Sequence, residues 1–154
     1  MKITMDGRPR WHWQNFPLPE PHLGLLAAGL ILHRLRPWMF LAERRLRPVT
    51  GWSLIVAGAV LAGWATGAAG STRLANPDRL VTDGPYAISR HPMYTGWTCI
   101  YLGVALVVNT RWLIILSPVL LALVHRTALT EERQLEEDLG DDYRAYKRQV
   151  RGYI

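Results

Sequence analysis

The chain has 154 residues, enough for one domain and little besides. Apolar residues make up 49% and are clustered, so a mean hydropathy of +0.02 reflects polar arms diluting an apolar centre. A net charge of +6 would point a soluble protein toward nucleic acid, but here the 18 Lys and Arg flank apolar runs, which sets nucleic acid aside in favour of membrane headgroups; Cys99, the only cysteine, excludes an intrachain disulfide and argues against a cysteine metal site.

Residues 1 to 21 mix Arg8, Arg10, Trp11 and Trp13 with prolines and read as an irregular interfacial arm, without the apolar core or cleavage site of a signal peptide. Leu23 to Leu32 is apolar but too short to span a bilayer alone, so the first helix is predicted from about Pro19 to Leu35, with Arg34 and Arg36 snorkelling to the interface. Pro37 to Pro48 is then a basic loop anchored by Trp38 and Phe40. Gly51 to Ala69 is an uncharged second span, in which Ala59, Gly63 and Gly67 predict a small-residue seam for close helix packing. Gly70 to Ser89 is polar and broken by Asn76-Pro77 and Asp83-Gly84-Pro85, and is expected outside the membrane as part of a site wall.

Met93 to Val108 is the third apolar segment, and Asn109 to Arg111 a tight turn into the fourth, Trp112 to Leu129. So short a connection predicts an antiparallel hairpin. The fourth segment carries Ser117-Pro118 and, near its end, His125 and Arg126, and is expected to continue into water. In Thr130 to Ile154, the residues Leu135, Leu139, Tyr143, Tyr146 and Val150 form an amphipathic stripe that Gly140 can break. The predicted fold is all-α: one membrane helical bundle of about four transmembrane helices (residues 22–129) with a cytosolic amphipathic C-terminal helix (130–154). The side holding the N-terminus, the second loop and the C-terminus carries most of the 18 Lys and Arg, which predicts both termini in the cytosol of a multi-pass protein in the cytoplasmic membrane.

Within this frame, Asp83 to Trp97 concentrates turn formers, Arg90, His91 and three aromatic residues at the mouth of the third helix. Pro92 suits the first helical position, so Arg90 and His91 sit at a helix N-terminus, where free N–H groups favour an anion. The hairpin brings this stretch beside His125, Arg126, Glu131 and Glu132. His125 and Glu132 are two turns apart and share a face, whereas Glu131 and Glu132 diverge by about 100°, so that one can face the site and the other water or an arginine. Cations, carboxylates and aromatics at a bilayer boundary suit a zwitterionic ligand with a flat ring and a positive centre. S-adenosylmethionine answers that description, with its carboxylate toward Arg90, His91 or the helix N–H groups, its ammonium or ribose toward Glu131 or Glu132, and its sulfonium on Tyr94 or Tyr86. A phosphate-bearing nucleotide or lipid answers it nearly as well.

Gly84-Pro85-Tyr86, Ser89-Arg90-His91-Pro92-Met93-Tyr94 and Gly96, followed by His125, Glu131-Glu132, Leu135, Gly140, Tyr143 and Tyr146, resemble the signature of the isoprenylcysteine carboxyl methyltransferase and phospholipid methyltransferase superfamily. The resemblance covers about Leu80 to Val150. It implies S-adenosylmethionine as cofactor, a lipophilic acceptor entering from the lipid, and cofactor contacts at His91, Tyr94, Gly96, Glu131 and Glu132, with Tyr86, Arg90 and His125 beside them. Glu132, His125 and Arg126 are the candidate catalytic residues, Glu132 or His125 serving as base should the acceptor be an amine. Two departures are Leu139, where the family often has Phe, and the C-terminal Arg151-Gly-Tyr-Ile, which lacks the family's proline. The alternatives are an NADPH-dependent membrane reductase of the sterol reductase type and a non-catalytic membrane module, in which Glu131 and Glu132 belong to a solvated helix face.

Overall fold

The computed structural model describes residues 20–40, 46–70 and 80–153. The interfacial arm through residue 19, most of the polar loop before residue 80 and the last residue lie outside these described residues. Among the described residues, five α-helices form in order: α1 (Glu20–Leu35), α2 (Leu46–Ala69), α3 (Pro92–Val108), α4 (Arg111–Leu139) and α5 (Asp141–Gln149), with a 3-10 turn at Gly84–Ala87. No strand is present among the described residues, apart from one isolated bridge between Ser89 and Arg151.

α2, with 24 residues, and α4, with 29, are long and apolar enough to cross a bilayer; α3 is apolar but shorter. α2 begins five residues before the predicted span, because Pro48 falls in its first turn, where a missing N–H costs nothing. α4 runs unbroken through Pro118. That proline withholds the N–H that Ile114 would receive, and the Ser117 hydroxyl replaces it, donating to the Ile114 carbonyl at 2.6 Å.

The small-residue seam of α2 lies on a different face from the one the spacing predicts. Gly63 is exposed, and a Cβ added there would meet nothing within 4 Å; the same is true of a Cβ on Gly67. The buried face is Gly51, Gly58, Ala62, Ala65 and Ala69, against α3. A Cβ on Gly58 would meet the Gly96 carbonyl oxygen, and one on Gly103 would lie 2.6 Å from the Gly51 oxygen, so the two backbones touch at paired glycines seven residues apart on each helix. α2 is apolar and rich in small residues all round, and only its partner decides which stripe is used.

The hairpin predicted between α3 and α4 forms at Asn109, which takes the left-handed conformation (φ 62°, ψ 47°), and Thr110, whose hydroxyl accepts the Trp112 N–H at 3.3 Å. The helices pair most extensively as α2 with α3 and α1 with α4, however, so the hairpin joins two pairs. A core of Tyr101, Ala105, Leu113, Leu120 and Val124 fills the space between α3 and α4, with Leu25 and Leu26 of α1 packed against it. At the hairpin end, Trp38 meets Trp112 edge to face and the Arg111 guanidinium lies over Trp38 and Phe40. The opposite end gathers the start of α3, the polar end of α4, α5 and the C-terminal tail.

Candidate active site

Pro92 opens α3, and the segment before it, Ser89 to His91, is buried or half-buried. Facing it, the last turns of α4 leave the apolar region and present Glu131 and Glu132. Gly140, at φ 56°, turns the chain so that α5 folds back with Tyr143 and Tyr146 buried.

Glu132 is the hub. It is only 4% exposed, and both its oxygens are taken. Oε1 accepts from Arg90 Nε at 3.0 Å and Nη2 at 2.9 Å and lies 3.0 Å from His91 Nε2, while Oε2 lies 3.2 Å from Lys147 Nζ. Burying a carboxylate costs several kcal/mol, which this set of charge-assisted bonds offsets. The Arg90 guanidinium is equally committed. Its Nη1 donates to the carbonyls of Lys147 at 3.0 Å and Val150 at 2.9 Å, placing a cation at the C-terminal end of α5. Arg90 and Glu132 thus clamp α3, α4 and α5 together.

Glu131 has the opposite character. Its side chain is 45% exposed; Oε1 accepts the Tyr94 hydroxyl at 2.5 Å and Oε2 lies 3.8 Å from His91 Nδ1. Of the two neighbouring carboxylates, Glu132 takes the arginine and Glu131 keeps open lone pairs.

The C-terminal tail closes the site. Arg90 N–H donates to the Arg151 carbonyl at 2.8 Å, and His91 N–H and the Ser89 hydroxyl both donate to the Gly152 carbonyl, at 3.2 and 3.1 Å. The His91 N–H is therefore occupied; those of Met93 and Tyr94, in the first turn of α3, have by position no intrahelical acceptor. The tail brings the Tyr153 ring to 5.6 Å from His91 and 6.1 Å from His125. His91 in turn lies 5.8 Å from Tyr94, and Tyr94 stacks at 6.5 Å and 7° on His22 of α1. Five rings thus run in a row from exposed His125 to buried His22. Behind them, the Tyr146 hydroxyl donates to the Tyr86 carbonyl at 2.6 Å, and burial pushes the Tyr146 phenol up to about 12.

Of the residues singled out in the sequence, Arg90, His91, Tyr94, Glu131 and Glu132 come together, while the Tyr86 carbonyl is held by Tyr146. His125 stands at the exposed edge, its Nδ1 3.4 Å from the Tyr153 hydroxyl. Gly96 lies in the seam with α2, where a Cβ would be 2.8 Å from the Gly58 oxygen. Arg126 is exposed and makes no side-chain bond to the cluster among the described residues. Sequence reasoning missed Lys147, Tyr153 and His22, and had Ser89 only as part of the motif. Lys147 reads as one more charge on the polar face of an amphipathic helix. His22 carried a usable signal, an ionisable ring in the first turn of a helix that is apolar from Leu23 to Leu32.

A sequence model described as phospholipid methyltransferase matches residues 46–142, which hold α2, α3, α4 and the clamp residues Arg90, His91 and Glu132. The protein-S-isoprenylcysteine O-methyltransferase of Schizosaccharomyces pombe is 38% identical over 72 residues, covering 46% of this chain and 30% of that protein. The matched stretch thus corresponds to less than a third of that relative's length. These similarities favour methyl transfer over the reductase and non-catalytic readings, and the family match extends over more than half the sequence. The chain belongs to the phospholipid methyltransferase family.

Proposed function

We propose that the protein is an integral membrane methyltransferase that takes its methyl group from S-adenosylmethionine and transfers it to a lipophilic acceptor at the membrane–cytosol boundary. The observation that carries this reading is the division of labour between the two glutamates: Glu132 locked in a clamp, Glu131 held open beside Tyr94. The residues present suit the cofactor. Glu131 offers a carboxylate to an ammonium or to ribose hydroxyls, Tyr94 and Tyr153 offer ring faces to a cation, and the first-turn N–H groups of α3 suit a carboxylate. Bound there, the cofactor supplies an electrophilic methyl group.

The protein's own contribution is positioning. The Tyr94 hydroxyl orients Glu131, the Arg90–Glu132–Lys147 clamp fixes α4 and α5 against the start of α3, and the tail with Tyr153 excludes water from one side. Arg90 therefore acts as a positioning residue, its donors being committed within the protein. A carboxylate or thiolate acceptor needs no base. For an amine acceptor, Glu132 has no uncommitted oxygen, which leaves His125 as the base. The S-isoprenylcysteine named for the fungal relative supports a lipophilic acceptor.

In this reading α1 to α4 each span the bilayer, α5 lies in the cytosol, and both termini share the cytosolic side with the site. The test is incubation of membranes containing the protein with S-adenosylmethionine labelled in the methyl group. Label should pass into the lipid-soluble fraction, and should not do so with Glu131→Ala; equal labelling by membranes lacking the protein would refute the reading.

A further inference from the structure

His22 takes no part in the clamp or in the open site at Glu131, yet it is among the most buried polar residues of the protein, at 2% exposure. Its Nε2 lies 3.1 Å from the Thr98 hydroxyl, and its Nδ1 is buried with no hydrogen-bond partner among the described residues. A buried, unsatisfied ring nitrogen costs about 1–3 kcal/mol, and such groups in native proteins call for a ligand or a function. The ring lies parallel to Tyr94, the residue that orients Glu131 and whose ring also lies 5.8 Å from that of His91. Tyr94 thus neighbours both the cofactor cluster and His22. His22 also belongs to α1, outside the stretch matched by the family model, where a feature particular to this protein's acceptor can reside.

The 3.1 Å contact admits Thr98 as donor or acceptor, and Thr98 is assigned as donor because its hydroxyl has no carbonyl partner four residues back of the kind comparable hydroxyls have. Six described helical hydroxyls, Thr50, Ser53, Thr66, Thr95, Thr127 and Thr130, donate to the carbonyl four residues back. The Thr98 hydroxyl meets His22 Nε2 instead. A hydroxyl that donates to Nε2 makes that nitrogen the acceptor and puts the ring proton on Nδ1. Nδ1–H is then a buried donor without an acceptor, and no cation or other donor is needed beside it.

We infer that His22 is a specificity-determining residue that holds the methyl acceptor, its Nδ1–H donating to one oxygen of a carboxylate head while the other oxygen attacks. This rests on the methyltransferase reading above and narrows its acceptor to a lipophilic carboxylate. The O–CH3 bond forms as the S–CH3 bond breaks; the sulfonium becomes a neutral thioether, the carboxylate a neutral methyl ester, and no proton is released. An ammonium head would set donor against donor at Nδ1.

The test uses the full-length protein in detergent with N-acetyl-S-farnesylcysteine as a lipophilic carboxylate, phosphatidylethanolamine as a lipophilic amine, and His22→Phe, His22→Gln and His22→Asn variants. Asn carries an N–H near the Nδ1 position; Gln reaches toward Nε2, and Phe keeps only the ring. Wild type should methylate the carboxylate, giving a product whose label is released as methanol by mild base. His22→Phe and His22→Gln should raise KM for the carboxylate about tenfold or more, the loss of one hydrogen bond to a charged group, with S-adenosylmethionine affinity unchanged, and His22→Asn should recover most of it. An unchanged KM, or equal losses in cofactor and acceptor affinity across all three variants, would overturn the inference by making His22 a packing residue. Base-stable label on the amine alone would overturn it and leave the methyltransferase reading standing. Wild type that binds no S-adenosylmethionine would overturn both.

Discussion

Glu131 and Glu132 are adjacent in sequence and chemically identical, and the fold separates them by a rotation of about 100° along α4. That rotation buries Glu132 among Arg90, His91 and Lys147 and leaves Glu131 half-exposed against Tyr94. Their substitutions should therefore fail differently. Glu132→Ala leaves Arg90 facing a buried void and should destabilise the protein by about 3 kcal/mol, read as a lowered thermal midpoint. Glu131→Gln should leave the midpoint within about 1 kcal/mol of wild type while weakening S-adenosylmethionine binding at least tenfold, because its loss is of charge at an open site. A similar fall in thermal midpoint for both would contradict the division of roles. The pairing of carboxylates with Arg90 and His91 is legible from spacing alone, since the clusters lie at the same end of a hairpin. The assignment of arginine to Glu132 is not, because it depends on where α5 places Lys147 and the carbonyls that receive Arg90.

Among elements, the α2–α3 pair shows what composition conceals. Both helices are apolar all round, so burial pattern alone does not select a face, and the regular Ala59, Gly63, Gly67 spacing points to the exposed one. The contact instead uses Gly51 and Gly58 against Gly103 and Gly96. Gly58→Ala and Gly96→Ala should each cost about 1–3 kcal/mol, since the new methyl meets backbone oxygen and the helices must part. Gly63→Ala and Gly67→Ala should be neutral or stabilising by up to about 1 kcal/mol, because open space receives the methyl and alanine favours the helix. Thermal unfolding of the four variants checks the contrast. Helix ends are legible where a residue dictates them, at Pro92 and Gly140, and the flanking prolines and arginines place α1 within one residue of its observed bounds. The docking of the tail is not legible, because a single backbone bridge between Ser89 and Arg151 has no periodicity to betray it.

At the scale of the whole molecule, one end of the bundle is fastened by aromatic and basic residues at the α3–α4 turn and the other by a polar clamp that draws in α5 and the tail. The polar end carries an alkaline limit. Tyr146 has an ordinary value of 10.0, as in the unfolded chain, and is pushed up to about 12 in the fold by burial. The native state therefore holds its proton longer than the unfolded state does. The contribution is fully present below about pH 10 and is lost as pH rises toward 12. Thermal midpoints should fall across that window, and Tyr146→Phe should show a shallower fall, at the cost of the bond to the Tyr86 carbonyl.

The central claim is that S-adenosylmethionine binds at Glu131 and Tyr94. Isothermal titration of the purified, detergent-solubilised protein should give one saturable site, weakened at least tenfold by Glu131→Gln and also by Tyr94→Phe, which removes the hydroxyl that orients Glu131, and unchanged by Arg126→Ala. Wild-type protein that shows no binding, or binding unaffected by Glu131→Gln and Tyr94→Phe, would contradict it.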